Sequence, residues 1–136
     1  SKTFDVVEDY RELEVVRGIA GESHCEHHML PIRGHAHLAY LPGGRVVGLS
    51  KLARLVDAFA RRLQTQERMT MQIAQALQQE LAPRGSAVLI EAEHACMSRR
   101  GIRALDSLTV TQAFTGELER NASLKREFLE LVRKSR

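Results

Sequence analysis

The chain has 136 residues, 43% hydrophobic and 27% charged, which describes one globular domain with a single core and excludes a disordered chain. Its 20 basic residues exceed the 17 acidic ones by a net charge of only +3, yet sixteen of them are Arg, the side chain that grips phosphate in a bidentate fork. No apolar run approaches the ~18 residues of a membrane span and the start, Ser1 to Asp5, lacks the order of a secretory signal, so one domain over residues 1–136, cytoplasmic and free of membrane, is expected.

The first dozen residues are charged and weakly patterned and specify no element. Leu13 to Ile19 mixes β-branched and polar residues as a strand does, ending near Gly21. A second strand, His35 to Leu41, is bounded by Gly34 and by the turn Pro42-Gly43-Gly44. Cys25-Glu26-His27-His28 falls in the connection between them. After Gly48 the period becomes helical: Ser50 suits an N-cap, and Leu52, Leu55, Val56 and Phe59 share a face. A second helix carries Met69, Ile73, Ala76, Leu77 and Leu81 on one side and closes at Pro83 and Gly85, with 61–68 as a polar joint between the helices.

Ala87 to His94 alternates as a strand, with Val88, Ile90, Ala92 and His94 on one face and Ala87, Leu89, Glu91 and Glu93 on the other. Leu108 to Phe114 is the fourth strand, and a last helix buries Leu124, Phe128, Leu131 and Val132. Strand, strand, helix, helix, strand, strand, helix describes an α+β domain with antiparallel pairing. Four strands with helices on one face leave two edges open, which favours self-association.

Two cysteines accompany six histidines, most of them between His24 and His37. Cys25 and His28 lie at i, i+3, and His94 and Cys96 at i, i+2; thiolate with imidazole is a zinc ligand set. Two versions of the site are open. Four ligands make a closed structural site, whereas three leave a position for an activated water. The adjacent His27 favours the second, since a structural site has no use for a neighbouring imidazole.

Ser50, Lys51 and Arg54 stand in the first turns of a helix whose dipole and N–H groups welcome a polyanion. Arg99, Arg100 and Arg103 follow Cys96 and call for an anionic partner. Alone, the first cluster reads first as an N-cap beside solvated charges. Glu67 alone reads as an ordinary helix-terminal carboxylate, although such a group can also accept the N1–H and 2-amino group of a guanine. Six aromatic residues and no reading motif make a nucleic-acid role weak.

Together the segments Cys25-Glu26-His27-His28, Ala39-Tyr40-Leu41-Pro42, Val47-Gly48-Leu49-Ser50-Lys51 with Arg54, Gln64-Thr65-Gln66-Glu67-Arg68-Met69-Thr70, His94-Ala95-Cys96-Met97 with Arg100-Gly101, and Arg126-Glu127-Phe128-Leu129 resemble the GTP cyclohydrolase I family. The resemblance runs from about Leu13 to the C-terminus and is specific as a combination. It implies that Cys25, His28 and Cys96 hold Zn2+, which selects the open site. It makes His27 and His94 catalytic, with Ser50 assisting near the ribose. Glu67 and Gln66 would hold the guanine, and Lys51, Arg54 and Arg100 the triphosphate.

The implied reaction converts GTP to 7,8-dihydroneopterin triphosphate and formate, opening folate and pterin synthesis: water adds at C8 while His27 protonates N7. The implied architecture is the tunnelling fold, an antiparallel four-stranded sheet with two helices between strands two and three and a C-terminal helix. Such subunits close into a barrel, typically a decamer of two stacked pentamers with sites between subunits. Family members carry helices ahead of the first strand, so this chain is expected to be a catalytic core short of them. The alternatives are a related enzyme of that fold acting on another purine or pterin, and a non-catalytic, zinc-stabilised nucleotide-binding oligomer.

Overall fold

Alternating apolar residues place four long strands side by side. The computed structural model describes residues 3–5, 12–25, 31–94 and 108–133. In chain order these form β1 (Thr3–Asp5), β2 (Glu14–Cys25), β3 (Pro31–Leu41), β4 (Arg45–Val47), α1 (Leu49–Ala60), β5 (Leu63–Gln64), α2 (Gln66–Leu81), β6 (Gly85–His94), β7 (Thr109–Gly116), α3 (Glu117–Arg120) and α4 (Ala122–Arg133). The main sheet has the order β5-β2-β3-β6-β7. Its four long strands are antiparallel, and β5 joins the end of β2 in parallel through His24↔Leu63 and Cys25↔Gln64. The pair β1 and β4 makes a separate two-stranded ribbon that the weak patterning of the N-terminus gave no reason to expect.

The strands overrun their expected limits, and the glycines explain why. Gly34 was expected to start a boundary, but β3 passes through it, because Gly34 pairs with Gly21 on one side and Ala92 on the other. A Cβ at Gly34 would run into the Glu91 carbonyl and the Ala92 backbone, so here glycine permits close approach rather than a turn. Likewise β2 continues past Gly21, which makes Cys25 the last residue of a strand instead of part of a connection.

Both faces of the sheet are used. Ala36, Leu38, Tyr40, Val88, Ile90 and Ala92 pack against Leu52, Val56 and Ala60 of α1 and Met69, Ile73, Leu77 and Leu81 of α2. Ala39, Leu41, Ala87 and Leu89, on alternate positions, pack against Leu118, Phe128 and Val132. Helix α4 therefore covers the face opposite α1 and α2, which corrects the expectation of helices on one face. The Phe128 ring meets Phe114 edge-on, with centroids 6.2 Å apart.

Two further expectations change at helix starts. The N-cap of α1 is Gly48, which makes no side-chain cap, and Ser50 lies inside the first turn. Helix α2 begins at Gln66, capped by the Thr65 hydroxyl that accepts from the Arg68 N–H at 3.2 Å. The polar joint therefore contains β5 and the first turn of α2. Within α2, Ala74 rather than Ala76 joins the buried side.

Arg84, just before β6, grips Glu117 at the head of α3 through two hydrogen bonds of 2.8 and 2.9 Å. The guanidinium's hydrogen bonding, and then its charge, hold the Glu117 carboxyl below its ordinary range. A lowered native pKa stabilises fully above the unfolded-state value and stops doing so as pH falls through the native one. The melting-temperature gap between the native chain and Glu117→Gln is thus expected at neutral pH and closes in acid; a gap unchanged at pH below both values would contradict the assignment. The pair is exposed, so the gap is small.

Candidate functional site

Helix α2 organises the candidate residues. At its N-terminus Gln66 is fully buried, and its amide donates to the Ile90 carbonyl at 3.1 Å, the Thr109 carbonyl at 2.9 Å and the Thr111 hydroxyl at 3.1 Å. Thr111 in turn meets the Thr70 hydroxyl at 2.7 Å, and Thr70 donates to the Gln66 carbonyl at 2.8 Å. This closed network pins the first turn of α2 to β6 and β7. Glu67, one residue on, stands exposed on the same turn.

The Glu67 end is also where the proposed metal-bearing strands finish. The Cys25 backbone lies beside Gln64, itself buried and donating to the Phe59 carbonyl at 2.6 Å. Ile32, near the start of β3, pairs with Ser23 on one side and His94 on the other. The ends of β2 and β6 therefore flank β3 at one end of the sheet, two strand spacings or roughly 10 Å apart. Loops leaving these two ends can meet on one ion, and a donor set of two thiolates and an imidazole suits zinc. For Cys25 and His94 only the backbone is described, while His27, His28, Cys96 and Arg100 lie outside the described residues. Among the described residues, no group of three or more His, Cys, Asp or Glu is placed to hold a metal.

The basic cluster lies elsewhere. Tyr40 accepts the Val47 N–H at 3.2 Å and so anchors the approach to α1. Ser50 and Arg54 are exposed, and the Lys51 ammonium faces the Glu80 carboxylate at 3.7 Å. Glu80 is near the C-terminus of α2, thirteen residues after Glu67, or about 20 Å along the helix axis. Because α1 and α2 run in opposite directions, Ser50, Lys51 and Arg54 occupy one end of the helical layer, and Glu67 with the ends of β2 and β6 the other. Glu80, which orients Lys51, carried no signal in the sequence; only the helix pairing reveals it.

The GTP cyclohydrolase I family model matches residues 1–133. The chain belongs to the GTP cyclohydrolase I family. Among curated members, the GTP cyclohydrolase 1 of Brucella anthropi is 57% identical over 131 residues, covering 96% of this chain and 62% of the relative. That of Brucella canis is 56% identical with the same coverage. The chain thus spans less than two-thirds of the length of these GTP cyclohydrolases. Two solved structures share the fold: an archaeosine synthase QueF-Like protein in its apo form (TM-score 0.64, 16% identity, covering 76% of this chain and 93% of that one) and the dihydroneopterin aldolase of E. coli in complex with neopterin (TM-score 0.58, 8% identity, 77% and 99%). The four-stranded antiparallel sheet, with two helices between its second and third strands and a C-terminal helix, is the tunnelling fold expected of a GTP cyclohydrolase I. No helix among the described residues is long and apolar enough to cross a membrane.

Proposed function

We propose that the chain carries the catalytic chemistry of a cytoplasmic GTP cyclohydrolase, converting GTP to 7,8-dihydroneopterin triphosphate and formate. The observation that supports this reading is that the turn bearing Glu67 is tied through Gln66 to β6 and β7 and directly follows β5, which pairs with the end of β2 at Cys25. Cys25, His28 and Cys96 would hold the zinc ion, which when bound lowers the pKa of a coordinated water near neutrality. Glu67 accepts the N1–H and 2-amino group of the guanine and so orients the imidazole ring of the base. His27 protonates N7 as water adds to C8, and His94 moves protons as the ring opens and formate leaves. Ser50 assists at the ribose, where opening and rearrangement precede closure on the freed amine. Lys51, Arg54 and Arg100 bind the triphosphate.

The two ends of the helical layer give this reading a quaternary form. With the basic cluster about 20 Å from Glu67 along α2, one chain supplies the base-binding and metal end and a neighbouring chain the phosphate end. Among the described residues β7 has no partner on its outer edge and β2 is paired there only at its end by β5, which allows sheets to join into a closed ring, in the family as a decamer of two pentamers.

The test loads the protein with zinc, adds GTP and measures formate together with the fluorescence of the oxidised pterin. Turnover is expected; its absence with one zinc bound per chain would overturn the catalytic reading for this chain. A His27→Ala variant is expected to keep its zinc and lose turnover. Loss of the metal as well would move His27 into the ligand set.

A further inference from the structure

A buried histidine outside the proposed catalytic set joins three strands. His37, in the middle of β3, is 2% exposed, and Glu91 on β6 is 8% exposed. The Gly18 N–H on β2 donates to His37 Nδ1 at 3.0 Å, which leaves the ring proton on Nε2. That proton is donated to Glu91 Oε1 at 3.1 Å. The imidazole therefore bridges β2 and β6 across the strand between them.

The point on β2 that His37 grips is a bulge. Val16 pairs with Leu38 and Ile19 with Ala36, so Arg17 and Gly18 together oppose His37. Gly18 has φ +75°, a backbone conformation that favours glycine, and Arg17 donates to the Leu131 carbonyl of α4 at 3.0 Å. One extra residue inverts the parity of every later position on a strand. From Ile19 to Cys25, the face each residue of β2 takes is therefore set at the bulge. On the far side of the bridge, Glu91 lies three residues before His94, where β6 ends.

We propose that His37 is a positioning residue for the metal centre: by holding the Gly18 bulge against Glu91 it fixes the register in which β2 and β6 reach the metal-bearing loops. The inference rests on the zinc reading above. It assigns His37 no contact with substrate. Its role is to hold one of two strand parities from Ile19 to Cys25.

The test uses cobalt(II), whose thiolate charge-transfer and d–d bands report the ligand set without turnover. In His37→Leu, which removes both hydrogen bonds, cobalt affinity is expected to fall about tenfold, with weakened thiolate bands in a chain that still melts cooperatively. His37→Gln keeps an acceptor for Gly18 and a donor for Glu91 and is expected to recover much of the loss. A folded His37→Leu chain with unchanged bands and affinity overturns the proposal, as does a Gln variant that loses as much as Leu. Should His37→Leu fail to fold, Glu91→Ala takes its place, and unchanged cobalt binding by that folded variant is equally fatal. If the unaltered chain binds no cobalt, the zinc reading itself fails and this inference with it; if it binds and the variants bind alike, only the register lock fails.

Discussion

Two crippled variants of this chain, Glu67→Ala and the double variant Lys51→Ala with Arg54→Ala, regain turnover when co-expressed. On the proposed function each alone would remove a charged contact to the substrate and lower kcat/KM by about tenfold or more, since hydrogen bonds to charged groups contribute roughly 1.5–3 kcal/mol. The recovery follows from the helical layer. Lys51 faces Glu80, whereas Glu67 stands on the opposite end of α2. If a site takes its carboxylate from one chain and its basic cluster from the next, random mixing restores both intact halves in about a quarter of the sites. Rates measured on purified mixed oligomers, with composition checked by mass spectrometry, decide the matter. Activity no higher than the average of the two variants means that both halves serve one site on one chain.

The second large effect is at Gln66. Gln66→Leu keeps the side chain's volume and removes its donor from the Ile90 and Thr109 carbonyls and the Thr111 hydroxyl. Buried acceptors left without a partner make the change costly, about 3 kcal/mol in denaturant unfolding. Turnover falls with it, because the same network fixes the turn that bears Glu67. The resemblance gave Gln66 a place beside the guanine, and the measurement separates the two contributions. A variant with native stability and a raised KM makes Gln66 purely a base contact. A destabilised variant with lowered kcat makes it the brace under Glu67.

Much of the architecture was legible because burial imposes period. The alternation of Ala87 to His94 and the helical spacing of Leu52, Leu55, Val56 and Phe59 led to β6 and α1, and the two-helix insertion followed. What escaped was long-range. Gly34 resembles punctuation until Gly21 and Ala92 are seen beside it, and nothing in the spacing of Phe128 and Val132 says which sheet face α4 will cover. Ser50 has a capping side chain, but the chain enters α1 two residues earlier, at Gly48. The site divides in the same way. Side-chain chemistry pointed to Cys25 as a thiolate ligand, Glu67 and Lys51 took their roles only from the family resemblance, and the separation of these residues depends on the antiparallel pairing of α1 with α2. His37 had no motif, since its significance lies in a bulge on another strand.

The opposed directions of α1 and α2 also carry a consequence for inheritance. A chain that gives its base-binding end to one site and its phosphate-binding end to another belongs to two active centres at once. On the shared-site proposal, a subunit defective at both ends would silence two centres while adding one chain to the assembly. In a cell making equal amounts of intact and doubly defective subunits, activity drops to about a quarter rather than a half. Such an allele would act dominantly over an intact one.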